Sequence, residues 1–377
     1  MAKRIAVLVS NDLNHDQRVL KTCATLEAEG WEPILIGREM KESRPLKVPF
    51  AAHRLRLPFQ RGFGFYAFLQ VAMLRALFKV QVEAIWANDL DTLLPAFIAA
   101  RMKGLPLVYD SHEYFTEAAG LTGRPFQRGV WLQLERSIFP RLAAVITVNE
   151  GIADAYFERY PRARGGRPLV VRNMPRKRVK PLRTSIDWKR RLGIPSNAPL
   201  LILQGAYLDK DRGVVQAVHA LRAQASWYLV IVGAGEEWEW ARTQENQFEG
   251  RLVVLPKMPF DELCGLTASA DVGLSLDQGV HGNYIMSLPN KLFDYIHAGT
   301  PVVASPMPEV TNVVAEWKIG RVVKDFTPAA IAEAVDGVLA YPTSHWTALC
   351  SEAAAALHWG EEEQQIAQAL RQAQANS

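Results

Sequence analysis

The segment Ser287–Ala304 (SLPNKLFDYIHAGTPVVA) concentrates the most chemistry in the shortest length of this 377-residue chain. Ser287 is a good N-cap residue, Pro289 suits a first turn and Gly299 a C-cap, so the spacing predicts a helix over 288–298. The first turn, at Ser287 and Leu288, offers unpaired N–H groups and the positive end of the helix dipole, which suits a diphosphate. Lys291 adds a mobile positive charge. Asp294, three residues on and on the same face, can accept hydrogen bonds from paired ribose hydroxyls. An ordinary capped helix with a surface Lys–Asp pair would look the same, and the residues alone do not choose.

With that segment the chain resembles the family 4 retaining glycosyltransferases of the GT-B fold (glycosyl transferases group 1). In that family a Glu-x7-Glu pattern spans loop and helix, and its second acid binds the donor ribose. Asp294 stands at the second acid. Met286 stands at the first, as in a subgroup with Ser-Leu-Pro-Asn-Lys at this point; since that acid normally touches the sugar, the resemblance does not carry a sugar over. It extends to Gln204–Gly213 (QGAYLDKDRG), where Gly205 would allow close backbone approach and Arg212 would grip a pyrophosphate through its planar fork of donors, Lys210 being secondary. Val232–Glu237 (VGAGEE) could hold part of the nucleotide around Gly235. It has no third glycine at dinucleotide spacing, so a nicotinamide cofactor is not supported. The resemblance places the base near Pro256, in Leu255–Pro259. In Tyr109–Phe115 (YDSHEYF) it implies that His112 touches the donor sugar, with Glu113 a lesser candidate. Many relatives have a Gly-Gly pair after the first strand; here that loop is Ser10–Arg18 (SNDLNHDQR). Its Asp16 and Arg18 are acceptor-side candidates, although helix capping explains Asp16 equally well, and His15 is open. Asn88–Asp91 (NDLD) reads as a helix cap or an acceptor contact.

The elements that must position these residues come in two series. Lys3–Ser10 and Pro33–Gly37 are short apolar runs separated by helical spacing from Asp16 to Gly30. The rhythm continues through Ala84–Ala87, Thr92–Lys103, Leu107–Tyr109 and Ala144–Val148. A basic, proline-containing stretch at Arg172–Arg183 reads as an interdomain crossing. A second series follows at Leu200–Gln204, Tyr228–Val232, Leu252–Leu255, Val272–Leu276 and Pro301–Ala304. Strands alternating with helices imply parallel sheets covered on both faces, with ligands at the strand C-termini on either side of a cleft. The expected α/β architecture is two Rossmann-like domains, 1–180 on the acceptor side and 181–355 on the nucleotide-sugar side. A helix within 356–377 closes back toward the first.

Composition narrows the class. With 49% hydrophobic and 22% charged residues the chain is ordinary globular protein. Three scattered cysteines and no CxxC pair argue against a disulfide framework or structural zinc. Residues 1–180 carry 28 Lys and Arg against 17 Asp and Glu, while the remainder is net acidic. The basic half could face a membrane surface or simply be a solubilising surface. The apolar stretch Phe63–Val80 is interrupted by Gln70, Arg75 and Lys79, so no membrane span is expected; it reads as core packing in preference to membrane-surface contact. Asp89–Asp91 and Asp209–Asp211 have Asp-x-Asp spacing, but capping and the phosphate loop already explain them. No metal or cofactor is expected, since Arg212, Lys291 and a helix dipole can neutralise a leaving diphosphate. The resemblance implies a cytoplasmic retaining glycosyltransferase, peripheral at most. It would take a nucleotide-sugar donor, a UDP-sugar in preference to a GDP-sugar, and a glycan, lipid-linked or small-molecule hydroxyl acceptor, with no nucleic acid partner. A GT-B nucleotide-sugar 2-epimerase and a nucleotide-sugar-binding protein without turnover are the alternatives.

Overall fold

The computed structural model describes residues 3–14, 16–41, 43–177, 186–279 and 282–375; His15 and the 178–183 part of the basic stretch lie outside them. The chain forms two compact units, Met1–Asn173 with Trp359–Ser377, and Met174–His358. The division therefore falls at 173/174 rather than 180/181, and the returning segment starts at Trp359 rather than at 356.

Among the described residues, the first unit contains a seven-stranded parallel sheet. Its strands are β1 (Lys3–Leu8), β2 (Trp31–Glu39), β3 (Ala51–Arg56), β4 (Ala84–Asn88), β5 (Leu107–Ser111), β6 (Ala144–Thr147) and β7 (Leu169–Val170). The order is β3-β2-β1-β4-β5-β6-β7. Ile5 to Leu8 and Ala84 to Ala87 are fully buried, which is why these central strands read as continuous apolar runs rather than alternating ones. Edge strand β3 is largely uncovered and reads as AAHRLR, too polar to be recognised as a strand. The last helix, Trp359–Ala375, turns Trp359, Ile366, Ala369, Leu370 and Ala373 into the core against β5, β6 and the helix Gln17–Ala28. Trp359 Nε1 donates to Thr25 Oγ1 at 3.0 Å, and Glu362 Oε2 accepts from the Arg172 N–H at 3.0 Å.

The second unit holds β8 (Leu200–Gly205), β9 (Tyr228–Gly233), β10 (Leu252–Pro256), β11 (Val272–Ser275), β12 (Val302–Ala304) and β13 (Gly320–Val322). They form a six-stranded parallel sheet in the order β10-β9-β8-β11-β12-β13. In both units the order reverses beside the first strand, between β1 and β4 and between β8 and β11. The loops leaving those strands diverge there and open a crevice at each sheet's carboxyl edge, where open α/β sheets bind ligands.

The apolar stretch from Phe63 is the helix Gly62–Lys79. Phe65, Leu69, Met73 and Leu77, four residues apart, face the core, while Phe63 is 87% exposed and Phe68, Val71 and Phe78 are also exposed. Core packing thus accounts for one face only. Among the described residues, no helix is long and apolar enough to cross a membrane.

Candidate functional site

In the second unit the basic residues converge on an acid that no motif marks. Asp277 lies two residues beyond β11 and is 1% exposed. Its Oδ2 is 3.0 Å from Lys291 Nζ, and its Oδ1 accepts from Arg212 Nη1 at 3.1 Å. Burial would raise the Asp277 pKa, but Lys291 and Arg212 outweigh it and hold the carboxyl below the usual range. Ser305 Oγ donates to the Asp277 carbonyl at 2.6 Å and fixes the backbone there. One buried carboxylate thus contacts two cations, with Asp209 acting on Arg212 from farther off. Arg212, whose guanidinium also lies 4.6 Å from the Tyr284 ring centroid, stays partly exposed.

Local backbone chemistry sets Arg212 in place. Gly213, at φ +82°, passes so close over Leu276 that a Cβ would come within 2.5 Å of the Leu276 Cβ and carbonyl oxygen. The chain can therefore cross beside the residue preceding Asp277 only as glycine. The loop after β8 is tied to the loop after β9. Leu208 N–H donates to Ala234 O at 2.6 Å, Glu237 N–H to Leu208 O at 2.9 Å, and Asp209 Oδ1 accepts from Glu236 N–H at 3.0 Å.

The expected helix is Asn290–Ala298, starting two residues later than the spacing predicts. Ser287 does not cap it: its Oγ donates to Tyr284 O at 2.9 Å and closes the short preceding helix Gly282–Ile285 instead. Pro289 occupies the cap position, with no side-chain hydrogen bond to the first turn. Leu288 packs on the core of the unit. Lys291, in the first turn, is buried on the Asp277 side, so it is not a surface residue paired with Asp294. Asp294 Oδ2 accepts from Gln204 Nε2 at 3.3 Å, and Gln204 Oε1 accepts from Thr267 Oγ1 at 2.7 Å, so β8 and this helix are joined at Asp294.

Two glycines serve their own chain rather than open space. A Cβ on Gly205 would come 2.7 Å from Leu208 Cδ2, and one on Gly235 (φ +125°) 2.7 Å from Asp209 Oδ1. The Glu236 and Glu237 N–H groups that Gly235 might have offered to a phosphate are taken by Asp209 and Leu208. Pro256 ends β10 on the surface, next to Lys257, whose Nζ stands 3.6 Å over the exposed Tyr207 ring.

In the first unit, the ends of β4 and β5 and the helix Gln17–Ala28 bring together Arg18, Asn88, Asp89, Asp110 and His112. Arg18, 3% exposed, donates from Nη2 to Asp110 Oδ1 at 2.7 Å and from Nη1 to Val171 O at 2.7 Å. Its guanidinium is therefore part of the core, a correction to its acceptor-side reading. Asp16 accepts from Val19 N–H at 3.1 Å and caps the helix, which accounts for its side chain without an acceptor. His112 keeps 18% of its side chain exposed. Its Nδ1 is 3.2 Å from Asp89 Oδ2, and its Nε2 is 3.2 Å from Asn88 Oδ1 and 3.5 Å from Asp110 Oδ2. Burial would lower its pKa, but Asp89 and Asp110 prevail and raise it to about 9. Burial works against Asp110 ionisation too, yet Arg18 and His112 lower its pKa to about 2. Glu113, half-buried, follows His112, and its carbonyl accepts from Ser111 Oγ at 2.7 Å. Asp91 is buried beside Asp89; burial and the Asp89 charge raise it to about 7 against a hydrogen bond from Ser10.

Sequence reasoning missed Asp277 because it ended the strand at Leu276. A signal was present: an acid just past an apolar strand at the switch point, the position type that Asp89 occupies after β4. Among the described residues, no group of three or more His, Cys, Asp or Glu side chains could hold a metal ion. Cys23, Cys264 and Cys350 are free and buried.

Comparison with known proteins agrees with the fold of the two units. A model of the glycosyl transferase 4-like domain matches residues 15–173, and one of the glycosyl transferases group 1 domain matches 205–340. No curated protein sequence matches the chain. Among solved structures, sucrose-phosphate synthase from Thermosynechococcus elongatus superposes with a TM-score of 0.79 at 19% identity, covering 100% of both chains. A glycosyltransferase from Rickettsia africae gives 0.74 at 11% identity, again over 100% of each. Anabaena HepE in complex with UDP-glucose gives 0.72 at 16%, covering 98% of this chain and 99% of that one. With both domain matches in chain order on two Rossmann-like sheets, the chain carries a glycosyl transferase 4-like domain followed by a glycosyl transferases group 1 domain, is a glycosyltransferase and has the GT-B fold.

Proposed function

We propose that the chain is a retaining, metal-independent glycosyltransferase that takes its sugar from a nucleoside-diphosphate sugar, a UDP-sugar in preference to a GDP-sugar. The observation that carries this reading is the pair Arg212 and Lys291 on the single buried carboxylate of Asp277, beside the uncapped N-terminus of helix Asn290–Ala298. Two cations against one anion attract a further anion, and a leaving diphosphate gains charge as the glycosidic bond breaks. Asp294 is assigned to the ribose, Pro256 with its neighbours to the base, and His112 to the donor sugar. The binding of UDP-glucose by HepE supports the choice of uridine.

The acceptor is a hydroxyl on a glycan, lipid-linked or small molecule, as in polysaccharide biosynthesis. A peripheral membrane contact through helix Gly62–Lys79 is supported by its exposed Phe63, Phe68, Val71 and Phe78 with Arg75 and Lys79, on a helix that has no acidic residue. The deciding test is calorimetric titration of the intact protein with UDP, GDP and UDP-sugars in the presence of EDTA. Saturable UDP binding, strongly weakened in Lys291→Ala, is the expected result; no binding of any nucleotide would overturn the reading. NMR of the product anomer with a competent donor then checks retention.

A further inference from the structure

Asp89 has a backbone that its side chain does not suit. It stands at φ +62°, ψ 163°, a region essentially confined to glycine. It immediately precedes the helix Leu90–Lys103, yet its side chain makes no capping hydrogen bond to that helix. Both carboxylate oxygens go to one residue instead. Oδ1 accepts from the His112 backbone N–H at 2.9 Å, and Oδ2 faces the ring at Nδ1, 3.2 Å away. The Asp89 N–H in turn donates to Asp110 O at 2.8 Å, which ties the strained residue to β5.

The opposite side of the ring decides the protonation state. Asn88 Nδ2 donates to Leu8 O at 2.7 Å, so the Asn88 amide is oriented with its Oδ1 toward His112 Nε2, 3.2 Å away. An amide oxygen can only accept, so Nε2 must carry a proton. Nδ1 faces a carboxylate and carries one as well. We infer that Asp89 is a positioning residue that holds His112 as a doubly protonated imidazolium at the carboxyl edge of the first sheet, and that the unfavourable Asp89 backbone is retained for this purpose. His112 is then a fixed positive charge and hydrogen-bond donor, not a proton acceptor. The groups facing it are Asp89, Asp110 and Arg18, with Glu113 and Asp91 acting on the same carboxylates. The kinetic consequence rests on the proposed transferase reading; the electrostatic one does not.

The test uses Asp89→Asn, which keeps the shape and removes the charge, and Asp89→Gly, which suits the backbone at φ +62° and guards against a folding failure in the first. Heteronuclear NMR of the imidazole nitrogens in the intact protein is the primary readout. In the parent protein both His112 nitrogens should show the protonated signature through neutral pH. In both variants the titration should fall by at least about one unit. With a competent donor, kcat/KM should fall by about tenfold at neutral pH in Asp89→Asn and gain a new decline as pH rises through the lowered His112 pKa. An unchanged His112 titration in both variants overturns the inference whatever the kinetics show. A shifted titration with no turnover of any nucleotide-sugar leaves it standing and counts against the transferase reading instead.

Discussion

Each unit of this protein places a buried aspartate beside basic side chains at the carboxyl edge of its sheet, and the two clusters differ in how their charges add up. In the first unit Arg18 and His112 each face a carboxylate of Asp110 or Asp89, with Asp91 buried beside them, so no cation there lacks a partner inside the protein. In the second, a single buried carboxylate, Asp277, contacts both Arg212 and Lys291, with Asp209 acting on Arg212 from farther off, and Arg212 remains partly exposed. A balanced buried network satisfies itself and fixes the geometry around it. An unbalanced one keeps attraction in reserve for an anion. Equivalent places on two similar sheets thus do different work, and counting charges separates them better than counting motif matches.

The largest expected effect breaks the balance in the first unit. Arg18→Met leaves Asp110 buried opposite His112 alone and strips Val171 O of its donor; unfolding free energy should fall by about 3–5 kcal/mol in urea titration. Arg212→Met should cost only about 1 kcal/mol, since Arg212 is partly exposed and Lys291 still serves Asp277. Equal losses at both positions would remove the distinction between a closed and an open cluster.

Next in size is ligand affinity. Removing one charge-assisted contact to a diphosphate is worth about 1.5–3 kcal/mol, so Lys291→Ala or Arg212→Met should weaken UDP binding about 10- to 100-fold. Calorimetry on the same variants used for stability gives the comparison directly. The Arg212 variant should lose affinity with little loss of stability, the reverse of what Arg18 should show.

How much of this could be read in advance follows the same physics. The buried strands Ile5–Leu8 and Leu200–Leu203 were legible because a parallel strand covered on both faces is a continuous apolar run. Edge strand β3 was not, because an uncovered strand needs no such run. Lys291 was singled out from its helix context and Arg212 from the family resemblance, and the structure brings them within reach of one carboxylate. Ser287 misled, because a serine after one helix and before another suits either, and here its hydroxyl closes the earlier one. The glycines at 205 and 235 were assigned to ligand approach, yet both make room for Leu208 and Asp209. Asp277 went unnoticed and Asp89 was read only as a helix cap or an acceptor contact, because what singles them out is burial, backbone conformation and partners, none of which a single sequence displays.

The pH dependence of stability sharpens the contrast. Asp277 and Asp110 have folded pKa values below the usual 3.8, so both contribute stability above that value and lose it as pH falls, Asp110 down to about 2. Only the first unit's cluster also has an alkaline limb. His112, raised from 6.5 to about 9, stabilises fully below 6.5 and loses that contribution as pH rises to 9. Asp91, raised to about 7, must be ionised at a cost as pH climbs from 3.8 to 7, which lowers stability in the same direction. Urea titrations across this range should show stability declining toward pH 9, and Asp91→Asn should flatten the part below 7. A profile that rises toward pH 9 would contradict the charge assignment in the first unit.

The smallest effect tests whether the first unit's loop after β1 does any ligand work. Asp16 Oδ1 accepts from Val19 N–H at 3.1 Å in N-cap geometry, so Asp16→Ala should cost about 1 kcal/mol of stability. Asp16→Asn, which keeps the capping oxygen, should cost far less. Neither should change the KM for an acceptor once one is known, because a side chain engaged with its own helix has nothing to add to a substrate. If the Asn variant kept its stability and still raised the acceptor KM several-fold, the Asp16 charge would be acting outside the helix. The closed character of the first unit would then end at Arg18 and Asp110 and would not extend to the loop before them.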